Sequence, residues 1–424
     1  MTTILEGSTA TSERAFSLLF ILVAWRNLWR NKRRTWLSVG GIAFSLFLVV
    51  TGMAFQTGTY DDMINLGARL GHSHIQVQHP DYLDNPRVKN TFYDALGTSR
   101  SIAQIPDVAG VAMRTESFAL VSVGERSYGA MVVGVEPNKE PSVSDFPSLL
   151  VEGTYLSDVG HAYIGSALAR NLSAAVGDEI VILGTGKTGN LAPMLLTIGG
   201  IFTTGITDVD RSYVQVRIEA FQEAFEFGDE IHRLLVSVSD LAQLNSVVAE
   251  MGRIVSDEVV VHDWEILMPE IRQGIDLDKI SAQFMYWMLL AVVLLSIVNT
   301  FVMTVFERSR EFGMLVAVGM RPRQIIGMVV IESIALWIVG SVVGLLVCLA
   351  VVIPTSWVGV PMPAAATEVS MGGMQIPTHI YPGLDASTLL TGPLVLGVGT
   401  VLGAMLPALR IRTLKPVEAL REEE

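Results

Sequence analysis

Cysteine is almost missing. Cys348 is the single one in 424 residues, which excludes an intrachain disulfide and any cysteine-based zinc site. Charge is scarce too: Asp, Glu, Lys and Arg make up 17% of the chain, against about 25% in ordinary soluble domains. Basic residues are the minority, 29 against 42 acidic, and the net charge of −13 argues against a nucleic-acid partner, which needs clustered Lys and Arg. A complete nucleotide-binding loop is absent. The nearest string, Gly-Thr-Gly-Lys-Thr-Gly over 184–189, has Val181 where the first loop glycine belongs, and it lies between two β-type runs, so it reads as a hairpin tip. His72, His74 and His79, followed by Asp81 and Asp84, lack H-E-x-x-H spacing or a second cluster, so they read as structural histidines and no metal is expected. No G-x-S-x-G, catalytic cysteine context or Ser/His/Asp arrangement appears either, leaving no catalytic centre.

What the chain does have is apolar length. Half of it is hydrophobic, with a mean hydropathy of +0.47, and a helix needs about 20 predominantly apolar residues to cross a bilayer. Four runs qualify: 36–55, 284–306, 325–353 with Glu332 inside it, and 387–409. Lys32-Arg33-Arg34 before the first run imitates a secretory signal. That run lies too far from the N-terminus and is too long for a signal h-region, so it reads as a retained anchor.

Lys and Arg orient the spans. They concentrate in 1–35 (Arg14, Arg26, Arg30, Lys32, Arg33, Arg34), in 307–324 (Arg308, Arg310, Arg321, Arg323) and in 410–424, whereas 354–386 has none. Both termini and the 307–324 loop are therefore expected in the cytoplasm, with 56–283 and 354–386 outside. Before the first span, Phe16, Leu19, Phe20 and Val23 at helical spacing, with Trp25, Arg26, Trp29 and Arg30, predict an amphipathic helix on the inner leaflet.

Residues 56–283 carry 15 Lys/Arg and 31 Asp/Glu, a net of −16, so the acidity of the chain belongs to this segment. It is long enough for its own core. β-type runs at 74–78, 118–123, 129–135, 179–183, 195–202 and 234–238, with helical stretches at 167–174, 218–227 and 241–255, predict an α+β extracytoplasmic domain, in two lobes because the chain leaves and re-enters the membrane at its ends.

The 307–324 loop reads E-R-S-R-E-F-G-M-L-V-A-V-G-M-R-P-R-Q: a charged turn, then a short apolar helix stopped by Gly319 and Pro322. Leu315, Val316 and Val318 would be exposed without reason in a solvated loop, so one face is expected to meet a partner. Together with Glu332-Ser333, Gly340-x-x-x-Gly344 and the tail L-K-P-V-E-A-L-R over 414–421, this loop resembles the MacB/FtsX-type ABC transporter permeases, over essentially the whole chain. The stretch 67–77 after the first span is similar to the lipoprotein-releasing LolC/LolE branch. Tyr163-Ile-Gly-Ser-Ala-Leu-Ala169 and Val176-Gly-Asp-Glu-Ile-Val-Ile182 resemble the family's periplasmic core.

The resemblance implies a permease without its own ATP-binding site, located in a bacterial inner membrane and paired with a second permease copy or paralogue. Two copies of a separate ATPase would bind ATP and Mg, and no cofactor would sit on this chain. Glu307, Arg308, Arg310, Glu311, Gly313 and Gly319 would form the ATPase-coupling element. The resemblance also implies extraction of lipoproteins or other amphiphiles from the outer face of the membrane, with handover to a periplasmic lipoprotein carrier. Efflux of peptides or antibiotics, or FtsX-like regulation of a cell-wall hydrolase, are the alternatives. Met53, Phe55, Phe284, Met285 and Met288 would wall a cargo cavity between the first two spans, though plain lipid contact asks for the same residues. Gly186, Lys187 and Asn190 at the hairpin would contact the carrier, against a plain surface turn.

Three roles stay open for Glu332: a tie to the coupling segment, a snorkelling surface residue or a proton relay. Gly340 with Gly344, and Gly399 with Gly403, predict close helix packing, most simply between the third and fourth spans.

Overall fold

The computed structural model describes residues 25–26, 29–361 and 379–409. The amphipathic stretch before Trp25, the 414–421 motif and 362–378 of the outer loop lie outside the described residues. The chain divides into two compact units, one built from the apolar runs and one from residues 60–276.

Among the described residues, four helices are long and apolar enough to cross a membrane. They are α1 (Lys32–Gly67), α2 (Pro269–Glu307), α4 (Pro322–Val358) and α5 (Ala386–Ala408), and the short α3 (Ser309–Ala317) precedes α4. α1 and α2 run well past the charge-free stretches, because a helix ends where its backbone groups find other partners, not where its side chains turn polar. The membrane unit has an apolar centre of Leu46, Val50, Cys348, Val352 and Leu396, continued at the end nearer α3 by Ile42, Phe301, Phe312, Ile325 and Val329. Leu37, Phe44, Phe284, Val292 and Leu295 stay exposed, as expected of surfaces that meet lipid.

Glycines set the helix contacts, and here the expected pairing of the third and fourth spans is corrected. A Cβ on Gly340 would come within 2.7 Å of Ile42, and one on Gly344 within 2.8 Å of the Ala43 carbonyl, so this pair seats α4 on α1. Gly399 and Gly403 face Leu294 and Val298, seating α5 on α2. α4 meets α5 elsewhere, where the Trp337 ring lies against Gly397 and its Nε1 donates to the Pro393 carbonyl at 2.8 Å. Spacing shows which residues are small enough for close approach; which helix fills the notch is a tertiary outcome.

The segment before α5 lies against α1. Gly383 N donates to the Ala54 carbonyl at 2.9 Å, and a Cβ on Gly58 would fall 1.9 Å from the Tyr381 carbonyl oxygen. The obstacle is backbone and cannot rotate away. Gly58→Ala is therefore expected to cost roughly 1–3 kcal/mol, read as a lower melting temperature of the detergent-solubilised chain; an unchanged midpoint would show that the segment is not held there.

The inserted unit contains ten paired strands: β1 (Ile75–Gln78), β2 (Val108–Val123), β3 (Arg126–Val135), β4 (Leu150–Gly153), β5 (His161–Gly165), β6 (Glu179–Thr185), β7 (Leu191–Phe202), β8 (Tyr213–Arg217), β9 (Arg233–Val238) and β10 (Val260–Asp263). Its two lobes share a strand. β2-β3-β8-β5-β7-β6 closes back on β2 through Leu120↔Leu183 to Ser122↔Val181, a barrel filled by Val121, Val132, Ile164, Ile182, Val214 and Phe221. The other half of β2 continues as a flat run through β9, β1 and β10, where helices 95–102 and 244–254 bury Ile102, Val247 and Met251 against Ile75, Leu234 and Val236.

Candidate functional site

The charged end of the membrane unit is organised around Arg308. It sits between α2 and α3, its guanidinium 5.2 Å from the centre of the Phe312 ring. Its Nε donates to Glu311 Oε2 and its Nη1 to Glu332 Oε2, each at 3.1 Å. Glu332, about three turns into α4, is buried. From the short turn that leads into α1, Arg30 reaches Glu311, and from the first turn of α1 Arg34 reaches Glu307, both at 2.8 Å. The ion pairs therefore join α1, α2, α3 and α4 into one end-plate. Burial would raise the Glu311 pKa, but hydrogen bonds from Arg30 and Arg308 outweigh it and hold the carboxyl below its usual range. Arg30–Glu311 and Arg34–Glu307 are half exposed and contribute little singly; Arg308–Glu332 is nearly dry, with side-chain exposures of 12% and 9%, and is costly to break.

Of the six residues expected to dock a partner, Glu307, Arg308 and Glu311 are thus seen tied to other parts of the chain. Gly313 is buried under the same plate. Gly319, at φ +105°, closes α3 with a Schellman-type turn in which Met320 N donates to the Leu315 carbonyl at 3.0 Å. The outward face of α3 is Arg310, Met314 and Val318, one stripe at i, i+4, i+8, and Val318 is 88% exposed. Met314 has no place in the sequence-based expectation, and Arg30 and Arg34 enter it only as orienting and surface-helix cations; for Met314 the four-residue spacing from Arg310 is the available signal.

The five residues expected to wall one cavity are divided. Met285 and Met288 line a groove of about 760 Å³ between α1 and α2, opposite Gly41, Ser45 and Leu48, with Arg34 at one end. Met53 lines a different cavity between α1, α2 and α5. Phe55 and Phe284 line neither.

In the inserted unit, the 186–190 tip is fastened down. Lys187 pairs with Glu230, its backbone N donates to the Phe225 carbonyl at 3.0 Å, and Thr188 bonds Glu226. Asn190 Nδ2 donates to Thr188 at 3.0 Å, and Gly186 N to the Asn190 carbonyl at 2.8 Å.

The histidines have structural partners. His74 Nδ1 accepts from Val238 N at 3.1 Å, leaving Nε2 to donate to Asn65 at 2.9 Å. His232 Nδ1 accepts from Glu116 N at 3.0 Å. Among the described residues no cluster of potential ligands could hold a metal ion. Burial first, with Arg69 beside His74 and Arg233 beside His232, pushes both imidazoles down to about 4. Each is thus held neutral, and the stability this gives is complete above pH 6.5 and lost as pH falls towards 4. The inserted unit is expected to lose up to about 3 kcal/mol per histidine across that window, measured as a falling urea midpoint. His232→Gln should flatten the slope, and a midpoint unchanged from pH 7 to 4.5 would contradict the burial.

Comparison with known proteins adds the family. Residues 35–254 match the MacB-like periplasmic core domain and 284–416 the FtsX-like permease C-terminal domain. The chain is 23% identical to the lipoprotein-releasing system transmembrane protein LolC of Xylella fastidiosa, over 96% of this chain and 100% of that one. It is 26% identical to the macrolide export ATP-binding/permease protein MacB of Nitrobacter winogradskyi, over 92% of this chain and 58% of that one. It is 25% identical to the pyoverdine export ATP-binding/permease protein PvdT of Pseudomonas putida, over 94% of this chain and 59% of that one. The chain therefore spans about three fifths of the two ATP-binding/permease relatives.

Proposed function

Because the chain belongs to the MacB/FtsX/LolC family of ABC transporter permeases, we propose that it works by mechanotransmission, drawing lipoproteins or other amphiphiles from the outer face of a bacterial inner membrane. A separate ATPase, in two copies and carrying the ATP and Mg, drives it. The observation that carries this reading is the Arg308 end-plate. An engine outside the membrane can move spans only through a rigid handle, and α3 is tied to α1, α2 and α4 while keeping Arg310, Met314 and Val318 outward. In this reading the termini and α3 face the cytoplasm, a second permease copy or paralogue completes the transporter, and the α1–α2 groove receives the cargo. The 186–190 hairpin faces a periplasmic carrier, offering Gly186, Lys187 and Asn190 as a preformed loop.

Arg310→Glu combined with Val318→Asp is expected to cut stimulation of the co-purified ATPase tenfold or more, a loss of at least about 1.4 kcal/mol for a central apolar contact plus a reversed charge. Full stimulation by that double variant removes α3 as the handle. The similarity to MacB and PvdT, comparable to that with LolC, favours a second reading as an efflux permease. Depletion of the chain separates the two: lipoproteins retained in the inner membrane support extraction, whereas altered drug or siderophore export with normal lipoprotein sorting supports efflux.

A further inference from the structure

The first turn of α1 carries charge where a helix opposes it. Lys32, Arg33 and Arg34 stand there with no acidic residue among them, although the N-terminal end of a helix is its positive pole and disfavours cations. For Arg34 the fold supplies a counter-charge, since Glu307 pairs with it, and Glu311 pairs with Arg30 just before. Lys32 and Arg33 are exposed, and among the described residues no carboxylate lies within ion-pair distance of either. The neighbouring sequence has none to offer: no Asp or Glu occurs from Ala15 to Tyr60.

These two cations do not belong to the end-plate. Lys32 precedes Arg34 by two residues, about 200° around the helix, so it points away from the side that Glu307 occupies. Trp36 follows Lys32 by four residues and Arg33 by three, which puts all three on one face. The Trp36 ring meets Trp29 edge-on at 5.9 Å, and Trp29 meets Trp25 in the same way at 6.0 Å. Trp25 and Trp36 are about half exposed, and Leu37 beside them is more exposed still. Indoles in membrane proteins gather at the level of the lipid headgroups. Lys32 lies about 6 Å further from the apolar centre than Trp36, at the depth of the phosphates.

We propose that Lys32 and Arg33 hold the phosphate of an anionic glycerophospholipid from the adjoining leaflet, with Trp36 and Trp29 against its glycerol and upper acyl chains. Charge complementarity selects this occupant: two cations without a carboxylate of their own stand at headgroup depth beside rings that favour that depth. A zwitterionic lipid presents the same chains and phosphate but brings its own ammonium, so it gains less from the pair. The headgroup backs the end-plate, because Glu307 holds Arg34 on one side of α1 while the lipid holds Lys32 on the other. The inference requires only that α1 spans a membrane, and does not depend on the cargo or on a partner ATPase.

The test uses the full chain, purified in mild detergent, delipidated and titrated with phosphatidylglycerol or, in parallel, phosphatidylcholine, with bound lipid counted by native mass spectrometry. Phosphatidylglycerol is expected to bind roughly tenfold more tightly than phosphatidylcholine. Lys32→Gln with Arg33→Gln is expected to remove that preference at an unchanged melting temperature, both side chains being exposed. Lys32→Arg with Arg33→Lys, which keeps the charge, should retain it, as should Lys89→Gln with Arg100→Gln, which removes two exposed cations from the inserted unit. No preference in the unmodified chain, a preference that survives Lys32→Gln with Arg33→Gln, or an equal loss in the Lys89→Gln with Arg100→Gln control would each overturn the assignment. Changing Glu422, Glu423 and Glu424 to Gln is expected to leave phosphatidylglycerol binding as it was; a tenfold gain would give the two cations to the chain's own acidic tail and overturn the lipid site.

Discussion

Arg308→Ala is expected to cost about 3–5 kcal/mol and to leave the ATPase running without moving the spans. The substitution strands the Glu332 carboxylate, buried at 6% exposure, and removes a hydrogen bond to Glu311 and the contact over Phe312. Removing one member of a dry pair costs far more than the pair contributes, because desolvation of the survivor is no longer offset. The double variant Arg308→Met, Glu332→Leu separates stability from coupling. With no charge left buried it should recover most of the melting temperature, while α3 and α4 lose their polar tie. Stimulated transport that stays normal in the double variant would reduce the pair to a packing feature, and an unchanged melting temperature in Arg308→Ala would contradict the burial itself.

Glu140→Gln should have a comparable effect in the inserted unit, again about 3–5 kcal/mol. Arg114 and Glu140 form an ion pair with both side chains at 0% exposure, and the same guanidinium donates from Nη1 to the Gly71 carbonyl at 2.8 Å. Arg114 lies on β2, the strand common to both lobes, so an uncompensated charge there acts on the barrel and on the flat sheet together. Hydrogen exchange of the full chain measures it: β2 and β9 amides should lose protection in parallel. A neighbouring pair supplies the contrast. Arg69 and Asp145, 40% and 36% exposed, should tolerate Arg69→Ala at a cost of about 1 kcal/mol or less. Equal losses from the two substitutions would mean that burial is not what distinguishes them.

The spans were legible because lipid leaves a one-dimensional mark: a run without charge is a local property. The β6–β7 hairpin was legible for a similar reason, since Ile180 and Ile182 alternate with exposed neighbours and a glycine-rich turn follows. β4 and β10 were not. Each has four residues, and all of β4 is exposed, so neither shows a period-two pattern. β8 was also missed, because its three central residues are all buried and it pairs in parallel with β3, distant in sequence. The candidate site divides in the same way. That α3 is amphipathic could be read from spacing; that Arg308 selects Glu332, 24 residues away, and that Arg30 and Arg34 close the plate from the other end of the chain are products of the fold. Gly340 and Gly399 carry the same lesson, since a small residue declares that something comes close without declaring what.

The pairing of β1 with β10 has a consequence for biogenesis. Ile75 to Gln78 align with Asp263 to Val260, with β9 on the other side of β1, so the first strand of the inserted unit acquires both neighbours only after nearly the whole unit has been synthesised. Contacts this distant in sequence are slow to form and leave strand edges open meanwhile. On the ribosome, β1 must therefore wait unpaired while β2 to β8 emerge, and the stretch most in need of a holding chaperone during export is the short one directly behind the first span.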